Sequence, residues 1–228
     1  MCARRIGAQT VSLALVTGGS RGIGLAICRR LYQEGLGVIN LDISEPEDNA
    51  LCNFIRVDLS DSHATQNALT QALKMGDIRY LVNNVGVVMP ANLDDTQLHD
   101  FDSVMALNVR CAIQCTQFLL PGMRNHRTGG IVNISSRAAL GKELRTNYSA
   151  SKAALIGLTR TWSLELASDQ ITVNCVCPGP IATALYTRAN PPDSERTKES
   201  IRTIPIGRIG KPEDIAQAVS FFLNENSS

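Results

Sequence analysis

Tyr148 and Lys152, in Tyr148-Ser149-Ala150-Ser151-Lys152, stand four residues apart, so on a helix both side chains leave the same face. A free phenol titrates near ~10, too high for an efficient base at neutral pH. An ammonium held beside the phenol oxygen favours the ionised form and brings the group into working range. Such pairs are common on solvated helices, and this one gains weight from Ser135-Ser136, which end the apolar run just before it.

A second set of residues points to a ligand. Thr17-Gly18-Gly19-Ser20-Arg21-Gly22-Ile23-Gly24 follows the first apolar run and leads into the helical pattern Leu25, Ala26, Ile27, Leu31. Glycines there permit a tight turn, close backbone approach to a pyrophosphate and close helix packing, while the helix start offers free N–H groups and a positive dipole end. The loop lacks the Lys-Ser/Thr ending of nucleoside triphosphatases. Asp42, eighteen residues past Gly24, ends the second apolar run, where a carboxylate accepts hydrogen bonds from an adenosine ribose diol and repels a 2′-phosphate. Arg21 pulls the other way, since a cation in this loop attracts a 2′-phosphate. Asp42 takes precedence because it occupies the ribose position itself, which predicts NAD rather than NADP. Two further run ends extend the groove: Asp58-Leu59, where an acid can meet the adenine amino group, and Asn83-Asn84-Val85-Gly86, where glycine admits the cofactor backbone.

These groups need a frame that brings run ends together. Runs rich in Val, Ile and Leu at 12–17, 37–42, 54–59, 80–85, 130–135 and 171–177 alternate with helical patterns at 22–34, 63–75, 96–124, 147–167 and 212–223. Such alternation means βαβ units, and runs this continuously apolar mean strands buried on both faces. The expected fold is α/β, a doubly wound parallel sheet in a single domain over 1–228, with a mobile, irregular lid over the substrate at about 183–205 that includes Pro191-Pro192. Ligands in such sheets bind beyond the carboxyl ends of the strands, at the point where strand order reverses.

Taken in order, TGGSRGIG, NNVG, Asn108 in Ala106-Leu107-Asn108-Val109, NISS, YSASK and CPGPIAT make the chain resemble the short-chain dehydrogenase/reductase family from about residue 11 to 223. The resemblance implies a Rossmann fold and an NAD(P)-dependent oxidoreductase. It makes Tyr148 the general acid/base, and Lys152 the residue that lowers the tyrosine pKa and binds the nicotinamide ribose. Asn108 would help hold a water linking the lysine to solvent, although a satisfied buried Asn is an equally compatible reading. The family serine that steadies the substrate oxygen falls on Ser136 by the NISS motif and on Ser135 by the usual thirteen-residue spacing to the tyrosine. Ser136 is preferred, because a loop tolerates a deletion more easily than a strand end tolerates a register change. Pro178, Gly179, Ile181 and Thr183 correspond to the segment beside the nicotinamide carboxamide and pyrophosphate. The cofactor set is thus Gly18, Ser20, Arg21, Gly22, Ile23, Gly24, Asp42, Asp58, Leu59, Asn84, Gly86, Tyr148, Lys152, Pro178, Gly179, Ile181 and Thr183. Members of this type usually continue into a seventh strand, which is expected to be missing after Asn224-Glu225-Asn226-Ser227-Ser228. That would leave 171–177 as an open edge, with the helices at 96–124 and 147–167 pairing across a two-fold axis in a homodimer or homotetramer.

Composition narrows the rest. The net charge is +1, from 22 Lys plus Arg against 21 Asp plus Glu, which argues against nucleic-acid and membrane-surface partners and for a small molecule. The expected substrate is an alcohol or ketone. Seven cysteines without a CxxC motif fit neither a disulfide framework nor a zinc site, so no metal is expected and a reduced cytoplasm is. Cys111/Cys115 and Cys175/Cys177 each share a face and read as small buried apolar residues. Arg4-Arg5 resembles a twin-arginine start, but the apolar run after it is too short for a signal core. Arg137, Lys142 and Arg145 read as solvated loop charges. Two alternatives stand beside the NAD(H) oxidoreductase: an NADPH-dependent 3-oxoacyl carrier-protein reductase, and a non-enzymatic dinucleotide-sensing regulator.

Overall fold

The computed structural model describes residues 12–48, 51–191, 194–224 and 227; Cys2, Arg4, Arg5, Pro192, Glu225, Asn226 and Ser228 lie outside them. Six parallel strands, β1 (Leu13–Thr17), β2 (Gly37–Asp42), β3 (Asn53–Arg56), β4 (Ile78–Asn83), β5 (Gly129–Ile134) and β6 (Ile171–Val176), form one sheet in the order β3-β2-β1-β4-β5-β6. The chain winds outward one way from β1 and then the other way from β4, so the order reverses between β1 and β4. This is the doubly wound Rossmann arrangement.

Alternation along each strand divides the core between two faces. Leu15, Ile39, Leu41, Leu81 and Ile131 pack with Leu69 of α2 (Ser62–Leu73) and with Leu119 and Met123 of α4 (Cys111–His126). Val16, Val38, Val82 and Val132 face Ile27 and Leu31 of α1 (Gly22–Gln33), and Val219 and Leu223 of α8 (Pro212–Leu223). Between β4 and β5 the registered pair Asn83 and Asn133 runs a buried amide ladder. Asn83 donates to Asn133 at 2.8 Å, and Asn133 to Thr159 at 2.9 Å, which ties the sheet to α5 (Thr146–Leu166).

Several boundaries differ from the sequence reading. The third strand ends at Arg56, not residue 59: after Val57 N–H donates to Asp42 the chain turns, and Asp58 accepts from Ser60 at 2.9 Å. β3 and β6 are the sheet edges and are only partly covered, where burial on both faces was expected. A groove of about 690 Å³, lined by Thr172, Asn174, Phe222 and Leu223 among others, runs beside β6. The long helix expected over 96–124 is three pieces, α3 (Leu98–Met105), a π-helical turn (Ala106–Arg110) and α4. The segment expected to be irregular contains α6 (Ala184–Ala189), capped by Thr183, and α7 (Glu195–Arg202), capped by Ser194. Cys177 is exposed rather than buried, because β6 stops one residue before it. Among the described residues no helix is long and apolar enough to cross a membrane.

Candidate active site

The glycine-rich loop after β1 is shaped by its packing. A Cβ on Gly24 would lie 2.0 Å from the Gly18 carbonyl oxygen, so only glycine lets α1 start this close to the strand end. Asn84 braces the loop from β4, donating to the carbonyls of Thr17 at 2.9 Å and Gly18 at 3.0 Å. Its amide is therefore spent on the loop rather than displayed to a ligand. Arg21 stands at the N-cap of α1 with no side-chain cap, which leaves the first-turn amides of Gly22, Ile23 and Gly24 without a capping side chain. An anion fits there.

Asp42 is buried at the end of β2, with one carboxylate oxygen accepting from Ser20 N–H and the other from Ser44 N–H, both at 3.0 Å. Arg21 reaches over the same turn and donates to Ser44 Oγ at 3.1 Å on the exposed side. Asn40, which the sequence reading passed over, accepts from Gly19 N–H at 2.8 Å and donates to Ser20 Oγ at 2.9 Å. An amide inside the apolar run Val38-Ile39-Asn40-Leu41 was the available signal, since a buried polar side chain must find partners. Asp58 is exposed, whereas the Leu59 side chain points into the core, so only its backbone faces outward chemistry.

Across the switch point, β5 and α5 assemble the reactive groups. Ser136 Oγ caps the short turn Arg137–Leu140, accepting from Ala138 at 3.1 Å, and its hydroxyl acts on the Tyr148 phenol to lower it. Ser135 is instead buried and donates to the Lys152 carbonyl at 2.7 Å. The Lys152 ammonium lies 5.6 Å from the centroid of the Tyr148 ring and donates to the Ile134 carbonyl at 2.7 Å. Burial lowers the Lys152 pKa to about 8. Burial also raises the Tyr148 phenol above its ordinary value, opposed by Ser136 and by the positive charge of Arg145. The Lys152 ammonium is anchored on the Ile134 carbonyl over the Tyr148 ring, and Arg145, at the N-cap of α5, is a further positive charge that lowers the phenol.

Asn108 sits in the π-helical turn. Its carbonyl oxygen accepts from Val87 N–H at 2.8 Å, and its amide donates to the Val87 carbonyl at 3.1 Å and to Ser151 Oγ at 3.0 Å. Ser151 in turn donates to the Tyr148 carbonyl at 2.8 Å, so Asn108 ties the strand-end loop to the helix carrying Tyr148. Gly86 lies between these groups: a Cβ there would meet Lys152 Nζ at 3.2 Å and Asn108 Oδ1 at 3.3 Å. The bare backbone keeps the ammonium approachable. Past β6, Pro178 accepts from Arg137 N–H, Gly179 has open space about it, and Ile181 bridges to Gly210. Thr183 returns to the glycine loop, its methyl 3.3 Å from where a Cβ on Gly22 would be.

The uncapped helix start, the acid at the second strand end and the glycine cradle beside a buried lysine fit a nicotinamide dinucleotide laid across the switch point. Fold and site define a Rossmann-type oxidoreductase. Residues 12–194 match the short chain dehydrogenase family, and the chain belongs to it. A 3-oxoacyl-[acyl-carrier-protein] reductase from Thermotoga maritima is 36% identical over 228 residues, 95% of this chain and 92% of that protein. The structure of a 3-oxoacyl (acyl-carrier-protein) reductase from Agrobacterium tumefaciens with NADP bound superposes with a TM-score of 0.88 at 29% identity, covering 94% of this chain and 88% of that one. A putative NAD(P)-dependent gluconate 5-dehydrogenase from Beutenbergia cavernae gives 0.86 at 29% identity, covering 94% and 90%. The chain is an NAD(P)-dependent oxidoreductase acting on alcohol and ketone groups.

Proposed function

We propose that the enzyme uses NAD(H) to interconvert a small or medium secondary alcohol and its ketone, with Tyr148 as the general acid/base. The observation that carries this reading is the grouping of Ser136, Tyr148 and Lys152 at the end of β5, with Ser136 lowering the phenol and the Lys152 ammonium 5.6 Å from the ring centroid. Ser136 holds the substrate oxygen, and Tyr148 takes the hydroxyl proton in oxidation or returns it in reduction. The dinucleotide, when bound, accepts or supplies the hydride. Lys152 binds the nicotinamide ribose. Asn108 is a positioning residue, since both ends of its carboxamide are engaged by Val87 and Ser151.

The amides of Gly22, Ile23 and Gly24 hold the pyrophosphate, with Gly18, whose N–H is bound to the Leu41 carbonyl, Ser20 and Arg21 shaping that turn. Asp42 receives the adenosine ribose, Asp58 and the Leu59 backbone the adenine, Gly86 the central groove, which Asn84 braces through the glycine loop, and Pro178, Gly179, Ile181 and Thr183 the carboxamide side. Each Asp42 oxygen keeps a lone pair beyond its amide bond, enough to accept from a ribose hydroxyl. The enzyme works in the cytoplasm as at least a homodimer, through the apolar faces of α4 and α5.

A second reading, an NADPH-dependent 3-oxoacyl carrier-protein reductase, is favoured by Arg21 poised at Ser44 and by the names of the relatives. Matched kinetics with NAD(H) and NADP(H) over secondary alcohols, ketones and an acetoacetyl carrier protein decide between them. Turnover of the carrier-protein thioester with NADPH alone would establish the second reading.

A further inference from the structure

Two thiols meet beneath the glycine-rich loop. Cys28 of α1 is fully buried, and Cys52, immediately before β3, is half-buried and packs on the same cluster. The two share one packed cluster and act on each other's titration, and Asn40 acts on that of Cys52. A Cβ on Gly19 would lie 2.7 Å from Cys28 Sγ and 2.6 Å from Asn40 Oδ1, so the sulfur, the amide and the loop backbone are in mutual contact. Asn40 Oδ1 holds Gly19 N–H.

We infer that Cys28 and Cys52 form a peroxide-sensitive thiol pair whose disulfide loosens the dinucleotide-binding loop. The division of labour follows from burial. Cys52 is the thiol that solvent can reach, and the neighbouring Cys28 and Asn40 pull it below the usual thiol range, whereas Cys28 is pushed up by Cys52 and by burial. The Cys52 thiolate attacks a peroxide oxygen; the O–O bond breaks, giving Cys52 sulfenic acid and, after protonation, one water or alcohol. Cys28 sulfur then attacks Cys52 sulfur: the S–S bond forms, the S–O bond breaks, and hydroxide leaves as water with the Cys28 proton. Two electrons pass from the thiols to the peroxide. Because an S–S bond is about 2.05 Å long, closure draws the Cys52 segment onto α1 and takes from Asn40 one of the partners that fix it beneath Gly19. A thiol–disulfide couple of this kind in a reducing compartment is a transient, regulatory one.

The consequence for cofactor binding rests on the function proposed above, so the test reads the loop separately. The full chain is treated with hydrogen peroxide, mapped by peptide mass spectrometry without reductant, and followed by amide hydrogen exchange and NAD titration. The expected result is a Cys28–Cys52 crosslink, faster exchange at Gly19, and dinucleotide affinity weakened by about five- to tenfold, the scale of one lost hydrogen bond. Dithiothreitol should restore all three. Cys52→Ser, which removes only the half-buried thiol, should abolish the response while Cys175 and Cys177 remain. No crosslink, a crosslink with unchanged exchange at Gly19, or a full response in Cys52→Ser would each overturn the inference. Reduced protein that binds neither dinucleotide would instead count against the function, leaving the crosslink and the Gly19 exchange to decide the thiol pair.

Discussion

Ser135 and Lys152 are joined through the backbone of the helix: the Ser135 hydroxyl donates to the Lys152 carbonyl at 2.7 Å, so this serine clamps α5 to the end of β5. Its neighbour Ser136 is the one that meets the Tyr148 phenol. The two alanine variants should therefore fail differently. Ser135→Ala should lower unfolding free energy by about 1 kcal/mol, the usual net worth of such a bond, with turnover largely kept. Ser136→Ala removes the cap on Ala138 N–H, so it should also cost about 1 kcal/mol of stability, but with far more turnover lost. Steady-state kinetics beside urea denaturation separates them, and the opposite pattern of turnover would transfer the substrate oxygen to Ser135.

Tyr148→Phe removes only the reacting oxygen and leaves the ring beneath the Lys152 ammonium. Turnover should fall by roughly 10²-fold or more, the usual scale of acid–base catalysis, with dinucleotide affinity unchanged in fluorescence titration. Near-normal turnover would remove the tyrosine from the mechanism.

Lys152 gives stability a defined pH dependence. Its folded pKa is about 8 against 10.5 for the unperturbed group. Between those values the unfolded chain holds a proton that the folded chain does not, so folding becomes more favourable as pH rises through that window. Relative to Lys152→Met, wild type should gain up to roughly 1.4 kcal/mol per pH unit there. The raised phenol of Tyr148 acts oppositely and only above its ordinary value, and the buried thiols are common to both proteins. Denaturation series at about pH 7 and about pH 10 should show the gap between wild type and variant shift in favour of wild type; a constant gap would mean that the ammonium is solvated.

Asp42 does two jobs, holding the Ser20 and Ser44 amides and presenting charge to the ribose. Charge-assisted bonds of roughly 1.5–3 kcal/mol each predict at least tens-fold preference for NAD over NADP in wild type. In Asp42→Ser the preference should collapse, with NAD use weakened and NADP use improved as Arg21 acts unopposed. Equal use of both cofactors by wild type would displace the assignment.

The parts of this fold that were legible from residues alone share a local cause. β1, β2 and β5 are apolar on both faces because they are covered on both, and the loop at 17–24 is glycine-rich because α1 begins within contact of the strand end. Tyr148 and Lys152 share a helix, so their proximity is written in their spacing. What stayed hidden depends on contacts distant in sequence. The hydrogen bonds of Asn40 to Gly19 and of Asn108 to Val87 span about twenty residues. Ser135 and Ser136 are adjacent and chemically identical; only the direction in which the strand end releases each side chain tells them apart.

The π-helical turn at Ala106–Arg110 has a bearing on how this chain tolerates length changes. A π turn is an α-helix carrying one surplus residue, and each residue rotates a helix by about 100°. Deleting any one residue between Met105 and Cys111 would let α3 and α4 fuse into a regular helix, locally the easier conformation. That deletion would also swing one half about 100° against the other, so the core contacts of Leu119 and Met123 and the inward placement of Asn108 could not both survive. The surplus residue behaves as a phase shifter, and its loss is a mutation that improves a helix while dismantling the site the helix serves.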